Sequence, residues 1–207
     1  MAITKEFLND DFDALTTFLS GSGMFGSVTH TDNIITCKDD NSNTVLTIDH
    51  SASSVVMTAY ASTLVSQSIS VSSTKPKYGY TCTNGLMFHM QTSNNYRQHF
   101  AITKTNLDKL AVVMTKTSTA NSTEQACRSF YCIANGDVAP ISSNEFTPTA
   151  KNQTQLVPFT TDSASGVISY TPNAAYLSVA QNYSMGFGTL TINGDEYLTN
   201  GYWVIKD

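Results

Sequence analysis

Apolar and polar residues alternate along most of the chain, and this period of two predicts β-strands. The alternation is clearest in residues 86–91, where Leu86, Phe88 and Met90 share one face. The same pattern predicts further strands at 33–37, 44–48, 54–60, 64–72, 78–82, 99–104, 110–116, 127–134, 167–170, 188–192, 196–199 and 202–205. The faces expected to point into a core are Leu86/Phe88/Met90, Leu110/Val112/Met114 and Leu190/Ile192.

Four Asn-Gly dipeptides lie between these segments: Asn84-Gly85, Asn135-Gly136, Asn193-Gly194 and Asn200-Gly201. Asn and Gly tolerate the positive φ that both central residues of a type I′ hairpin turn need. The sequence therefore predicts a mainly β fold, an antiparallel β-sandwich or jelly-roll-like domain of about eight to twelve strands. Little regular pairing is expected from Pro140 to Pro158, where three of the five prolines lie.

The first twenty residues have a different period. Leu8, Phe12, Leu15 and Leu19 recur at helical spacing, and Phe7 and Phe18 widen the apolar stripe. Thr4 is the predicted N-cap, and residues 21–23 (Gly-Ser-Gly) are expected to end the helix. This short amphipathic N-terminal helix either covers one end of a sheet or docks on a neighbouring subunit. In the second case the oligomer contacts would be Phe7, Leu8, Phe12, Leu15 and Leu19.

The predicted organisation is a helix with its cap over residues 1–23 and a single β-rich domain over 24–207. A subsidiary boundary could fall near 139–158, although an excursion within one domain is the preferred interpretation. Leader, membrane and repeat signals are all weak. The N-terminus does not have the layout of a secretory signal, so we expect a protein made in the cytosol, and no apolar run is long enough for a membrane span.

Composition narrows the class of partner. Only 13% of the residues are charged, whereas the chain has 29 Thr, 24 Ser and 16 Asn. The net charge of −5 and the thinly spread Lys and Arg argue against nucleic-acid binding. Cys37, Cys82, Cys127 and Cys132 are expected to be buried free thiols, because their spacing does not match the paired motifs of a zinc site.

The sequence has no cofactor-binding motif and predicts no enzyme. His89 and His99 lie on neighbouring predicted strands, but half-exposed strand histidines are favoured over a metal site, and His30 and His50 are placed further away. A glycosidase would need two converging carboxylates. The acids Glu124, Glu145, Asp162, Asp195 and Glu196 are instead interpreted as solvated turn residues. The glycines at 21, 23 and 26 follow a helix, which is the wrong context for a dinucleotide fingerprint.

Aromatic and polar residues near turns suggest a ligand-contacting surface. Tyr96 and Arg97 lie at the start of one predicted strand, and Tyr202 and Trp203 follow the last Asn-Gly dipeptide. Such side chains are typical of surfaces that bind glycans or proteins. For Trp203, packing in the core is the preferred alternative.

Two segments, 131–140 (YCIANGDVAP) and 197–207 (YLTNGYWVIKD), resemble virion structural proteins of tailed bacteriophages of gut Firmicutes. Residues 12–28 are similar in character. The resemblance implies a β-rich subunit of a tail, baseplate, fibre or head surface, present in many copies. It implies no catalytic residue, and no functional residue can be transferred from it.

The sequence thus predicts a non-enzymatic phage structural protein, located in the virion, that self-assembles as a trimer or a ring with other virion proteins. Contact with a host cell-surface glycan is an additional expectation. The alternative is a carbohydrate-binding module or a small glycan-active hydrolase. No cofactor is expected in the first case.

Overall fold

The computed structural model describes residues 3–60, 66–92, 97–104, 110–117, 127–133, 141–146, 156–158, 177–180, 188–200 and 203–207. Within these ranges the chain forms one short α-helix and 17 strands, and every strand pair is antiparallel. The prediction of a mainly β fold with a single short helix is confirmed. The number of strands is larger than expected, because several short strands carry little alternation.

The strands form three sheets. The largest contains, in spatial order, β1 (Thr4–Phe7), β7 (Lys75–Cys82), β8 (Gly85–Gln91), β9 (Arg97–Lys104), β10 (Leu110–Thr117), β11 (Cys127–Ile133) and β12 (Ile141–Phe146). The second contains β2 (Ser27–Thr31), β3 (Ile34–Lys38), β4 (Thr44–Asp49), β5 (Ser54–Tyr60) and β6 (Ser66–Ser72). The third contains, in spatial order, β13 (Leu156–Pro158), β14 (Leu177–Ala180), β17 (Trp203–Lys206), β16 (Asp195–Thr199) and β15 (Gly188–Ile192).

The main core lies between the largest sheet and the second sheet. The predicted inward faces of β8 and β10 are buried in it, as Leu86, Phe88, Met90, Leu110, Val112 and Met114. They join Ile35, Leu46, Ile48 and Met57 of the second sheet in one apolar cluster. The rings of Phe88 and Phe100 stack across β8 and β9 with centroids 4.6 Å apart. This arrangement is sandwich-like, because the apolar faces of two antiparallel sheets enclose one core.

The opposite face of the largest sheet is also largely buried. Met87, Ala101 and Val113 occupy neighbouring strands on that face and are almost inaccessible to solvent. The third sheet approaches there, since the side chain of Ile205 would lie 3.1 Å from a Cβ added at Gly85. Leu190 and Ile192 of β15, also predicted to point inward, are only half-buried.

The N-terminal segment differs from its prediction. Thr4 does not cap a helix but begins β1, which pairs with β7 in the register Thr4↔Thr81 to Phe7↔Tyr78. The helix α1 spans Phe12–Gly21, and its N-cap is Asp11, whose carboxylate accepts from the backbone N–H of Asp13 at 2.9 Å. Asn9 and Asp10 have φ of 49° and 65°, so the chain reverses sharply between the strand and the helix.

The burial of Leu8 explains why the start of the helix was predicted too early in the sequence. Leu8 ends the strand segment yet enters the same core as Phe12, Leu15 and Leu19 of α1. The helix packs on β7 at Gly79, where an added Cβ would lie 2.6 Å from the ring of Phe18. The helix α1 therefore covers a sheet of its own chain, which was one of the two roles considered for it.

The loops show both agreement and correction. Asn193-Gly194 forms the predicted type I′ turn, with φ of 54° and 90°. Asn84-Gly85 does not, because the β7–β8 turn is Thr83-Asn84 and Gly85 pairs with Cys82 in the ladder. Asn135-Gly136, Gly201 and the predicted strand 167–170 lie outside the described residues.

The span from Pro140 to Pro158 contains more pairing than predicted, since β12 pairs with β11 and β13 pairs with β14. Pro158 is at the end of an edge strand, a position that tolerates the missing N–H. In the described part of the chain, α1 is ten residues long, and no helix there has the length and apolar character needed to cross a bilayer.

Candidate functional site

The most exposed apolar feature of the described residues lies on β1, which is an edge strand of the largest sheet within the described part of the chain. We define the β1 edge surface as Lys5, Phe7 and Tyr78. Phe7 is 62% exposed, and its ring meets that of Tyr78 edge-on with centroids 5.5 Å apart. The Lys5 Nζ atom lies 4.7 Å from the centroid of each ring. The surface therefore presents aromatic faces together with a positive charge, held by cation–π attraction.

The aromatic contacts continue from this surface into the protein. Tyr78 is opposite His89 and their rings are 4.9 Å apart, and His89 is opposite His99 with rings 5.7 Å apart. The sequence places the two histidines on neighbouring strands, and in the structure they are directly opposite each other. The expectation that they are half-exposed is wrong, because they are 5% and 3% accessible.

His30 and His50, which were expected to lie away from His89 and His99, form a second cluster. The Nε2 atoms of the two imidazoles are 2.8 Å apart, and His30 Nδ1 lies 2.7 Å from a carboxylate oxygen of Asp13. The ring of His50 stacks parallel on Phe12 at 3.8 Å. Nothing in the spacing of these four residues identifies the cluster, because the fold of α1 onto the second sheet creates it.

Of the four predicted surface residues, Trp203 is the one whose side chain lies in the described part of the chain. Tyr96 and Tyr202 lie outside the described residues, and so does the side chain of Arg97, whose backbone begins β9. Trp203 is 2% exposed, and its backbone N–H donates to the side-chain oxygen of Asn200 at 2.8 Å. Its burial agrees with the core-packing alternative and corrects its placement as a surface contact.

The five predicted oligomer contacts differ in their exposure to solvent. Leu8, Phe12, Leu15 and Leu19 are between 0% and 7% exposed and pack inside this chain. They are not available to a neighbouring subunit, which corrects that part of the interpretation. Phe7 alone of the five projects into solvent.

Of the candidate carboxylates, only those of Asp195 and Glu196 lie in the described part of the chain, and these two do not converge. Asp195 forms an ion pair with Lys206, and the distance from its Oδ2 atom to the Lys206 Nζ atom is 2.7 Å. Glu196 follows it in β16, and successive residues of a strand point to opposite faces. Glu124, Asp162 and the side chain of Glu145 lie outside the described residues. No two described acids of this set are therefore arranged as a glycosidase pair requires.

The cysteines that the structure describes behave as structural thiols. Cys37 and Cys82 are free and buried. Burial raises the pKa of the Cys37 thiol to about 12 and that of Cys82 to about 11, so neither is a nucleophile near neutral pH. Among the described residues no group of three or more His, Cys, Asp or Glu side chains is placed to hold a metal ion.

Comparison with known proteins yields no match among protein-family models, curated proteins or solved structures.

Proposed function

We propose that the protein is a non-enzymatic structural subunit of a bacteriophage virion, which assembles with copies of itself and with other virion proteins. The resemblance of segments 131–140 and 197–207 to such proteins supports the class. The hydroxyl-rich, weakly charged sequence supports it too, because only 13% of the residues are charged and an ordinary cytosolic enzyme carries a larger share.

The observation that carries self-assembly is the β1 edge surface. A free edge strand exposes unpaired backbone N–H and C=O groups and invites pairing with another chain. All four residues of β1 are exposed, and Phe7 adds an apolar side chain that would gain by burial. Covering this edge in an assembly would pair the backbone N–H and C=O groups of β1 and bury the ring of Phe7.

The charges of β1 favour a ring over a two-fold dimer. Two copies of β1 that pair around a two-fold axis must place some residue opposite itself. The two registers that pair most of the strand place Lys5 opposite Lys5 or Glu6 opposite Glu6, and like charges directly opposite are destabilising. A contact between β1 and a different surface of the next copy avoids this, and such head-to-tail contacts close into rings.

Sedimentation equilibrium of the full chain and of two variants tests the assembly. The wild type should form an oligomer. Phe7→Glu, which places a charge in the proposed contact, should sediment as the 22.4 kDa monomer. Ile34→Glu is the matched control, because Ile34 is the other large hydrophobic residue exposed in the described part of the chain, and it should assemble like the wild type.

A wild-type protein that stays monomeric at high concentration would contradict self-assembly through this surface. The virion assignment has a separate test. Peptides of this chain should be found, in many copies per particle, by mass spectrometry of purified phage from a host carrying the gene. Their absence from intact particles would exclude a structural role in the virion.

A glycan-binding function is the second candidate, and the same surface favours it. Exposed aromatic rings beside a polar group are suited to contact with a sugar. Phe7→Ala should then abolish retention on immobilised host cell-wall polysaccharide, without release of new reducing ends. Release that stops on Asp195→Asn or Glu196→Gln would instead demonstrate a hydrolase.

A further inference from the structure

Three elements of the fold meet at the cluster of Asp13, His30 and His50. Asp13 lies in the first turn of α1, His30 on β2, and His50 directly after β4. The backbone N–H of His50 also donates to the carbonyl of Asn33 at 3.0 Å, which fixes the start of its loop against the β2–β3 turn. The contacts from the Asp13 carboxylate to the His30 imidazole, and from His30 to the His50 imidazole, therefore link the helix to the second sheet.

The contact between the two imidazoles depends on their protons. A neutral imidazole has one N–H donor and one acceptor nitrogen, whereas an imidazolium has two donors and no acceptor. The rings meet through their Nε2 atoms, which are 2.8 Å apart with ring centroids separated by 5.0 Å. This bond needs one proton between the two nitrogens, so at least one imidazole has to be neutral.

The surroundings favour a state with one imidazolium at most. His30 can hold a proton on each nitrogen while it donates to Asp13 and to His50. Asp13 is 84% exposed, so this ion pair is screened by water and contributes little on its own. His50 is less exposed, because its ring is covered by Phe12, and the Nζ of Lys75 lies 5.2 Å from the centroid of the same Phe12 ring.

The net effect of these surroundings is to lower the pKa of His50. Burial lowers it below the ordinary value of 6.5, and the positive charges of His30 on β2 and Lys75 on β7 lower it further. The carboxylates of Asp49 on β4 and Asp13 on α1 oppose this effect but are weaker. His50 therefore stays neutral under conditions in which an ordinary histidine has begun to take up a proton.

We propose that Asp13, His30 and His50 form a proton-operated latch between α1 and the second sheet. The latch is closed while one imidazole is neutral and opens when both are protonated. In the doubly protonated state both Nε2 atoms carry hydrogens, the bond between them is lost, and the two positive charges repel. Leu15, Phe18 and Leu19 of α1 remain in the core, so the opening is confined to the His50 loop and the ring of Phe12 beneath it.

The sign of the effect on stability follows from the same protons. The unfolded chain takes up a proton at His50 near pH 6.5, but the folded chain resists until a lower pH. The contribution to the free energy of unfolding is therefore fully present above pH 6.5 and is lost as the pH falls through the lowered pKa of His50.

Nuclear magnetic resonance of the full chain tests the latch. The imidazole nitrogens report the protonation of His50, and hydrogen exchange of its backbone amide reports the opening. We expect His50 to titrate below pH 6.5 and the protection factor of its amide, which corrects for the slower intrinsic exchange at lower pH, to fall over the same pH range. A His50 that titrates at or above 6.5, or an amide that stays protected after protonation, would overturn the proposal.

Two exposed charge variants should move the opening in opposite directions. Lys75→Met removes a positive neighbour and should shift it to higher pH, whereas Asp13→Asn removes a negative neighbour and should shift it to lower pH. Lys38→Met, which removes a charge that does not act on His50, should leave it unchanged. His30→Gln should leave His50 titratable but uncouple its protonation from the amide exchange. Opening that still follows protonation in His30→Gln would reject the latch.

Discussion

At the scale of single residues, two buried positions, Gly85 and Gln98, have structural roles that the local sequence does not predict. Gly85 belongs to an Asn-Gly dipeptide, but it needs no positive φ. It is a glycine because β9 passes close by, so that an added Cβ would lie 2.3 Å from the carbonyl oxygen of Ile102. The requirement comes from the packing of two strands and is invisible in the local sequence.

Replacement of Gly85 by alanine should therefore destabilise the protein. The methyl group would collide with backbone, which cannot move aside as a flexible side chain can, and we expect a loss of about 2 kcal/mol or more in the free energy of unfolding. Gly188→Ala is the control, because an added Cβ there meets nothing within 4 Å. Chemical denaturation measures both variants, and equal stability of the two would show that β9 yields without cost.

Gln98 is the second such position. It is fully buried between Met90 and Lys116 in the sheet, and both polar atoms of its amide lack a hydrogen-bond partner in the described part of the chain. A buried polar group without a partner costs roughly 1–3 kcal/mol.

Gln98→Met keeps a similar side-chain volume and removes the unsatisfied amide. We expect it to raise the free energy of unfolding by about 1 kcal/mol or more, read from the denaturation midpoint. Gln91→Met should give no such gain, since the half-buried Gln91 makes polar or ring interactions of its own. A destabilised Gln98→Met would instead show that the buried amide makes a net favourable contribution to the free energy of unfolding.

At the scale of elements, the main features that we did not predict from the sequence are turns that contain no glycine. Asp32 and Asn33 both have positive φ, of 50° and 65°, and join β2 to β3 in the same way as Asn193-Gly194 joins β15 to β16. The residues around 9–11 likewise end β1 and start α1. Asn and Asp tolerate left-handed backbone less readily than glycine, so they are a weaker turn signal.

Asn33→Ala should test the Asp32-Asn33 turn. Alanine has no side chain that stabilises left-handed backbone, so we expect the free energy of unfolding to fall by about 1 kcal/mol. Asn41→Ala is the matched control, because Asn41 is also an exposed loop asparagine but does not have positive φ. Thermal melting of the two variants compares them directly, and the turn assignment fails if both melt like the wild type.

At the scale of the whole molecule, the third sheet is coupled to the largest sheet through its C-terminal strand. Ile205 is buried near Gly85, and the backbone N–H of Thr83 donates to the Asp207 carboxylate at 2.7 Å. The side-chain amide of Asn84 donates to the carbonyl of Lys206 at 2.9 Å. The β7–β8 turn is thus held by residues more than one hundred positions away in the chain.

Ile205→Ala should lower the stability of the whole structure. Deleting a buried isoleucine side chain costs about 2–5 kcal/mol, and the effect should appear in one cooperative transition if the sheets unfold together. Ile34→Ala, at a partly exposed position, should cost much less. Two separate transitions in the Ile205 variant would show that the third sheet unfolds on its own.

The sequence by itself determined the β class, the buried faces of β8 and β10, and the placement of His89 and His99 on neighbouring strands. All of these depend on alternation within strands joined by short turns, which is local information. Tertiary structure alone decided that residues 4–7 form an edge strand, that His89 and His99 are buried, and that Asp13, His30 and His50 meet. These features depend on which sheet covers which face, because an exposed edge or a side-chain cluster exists only after distant segments have packed together.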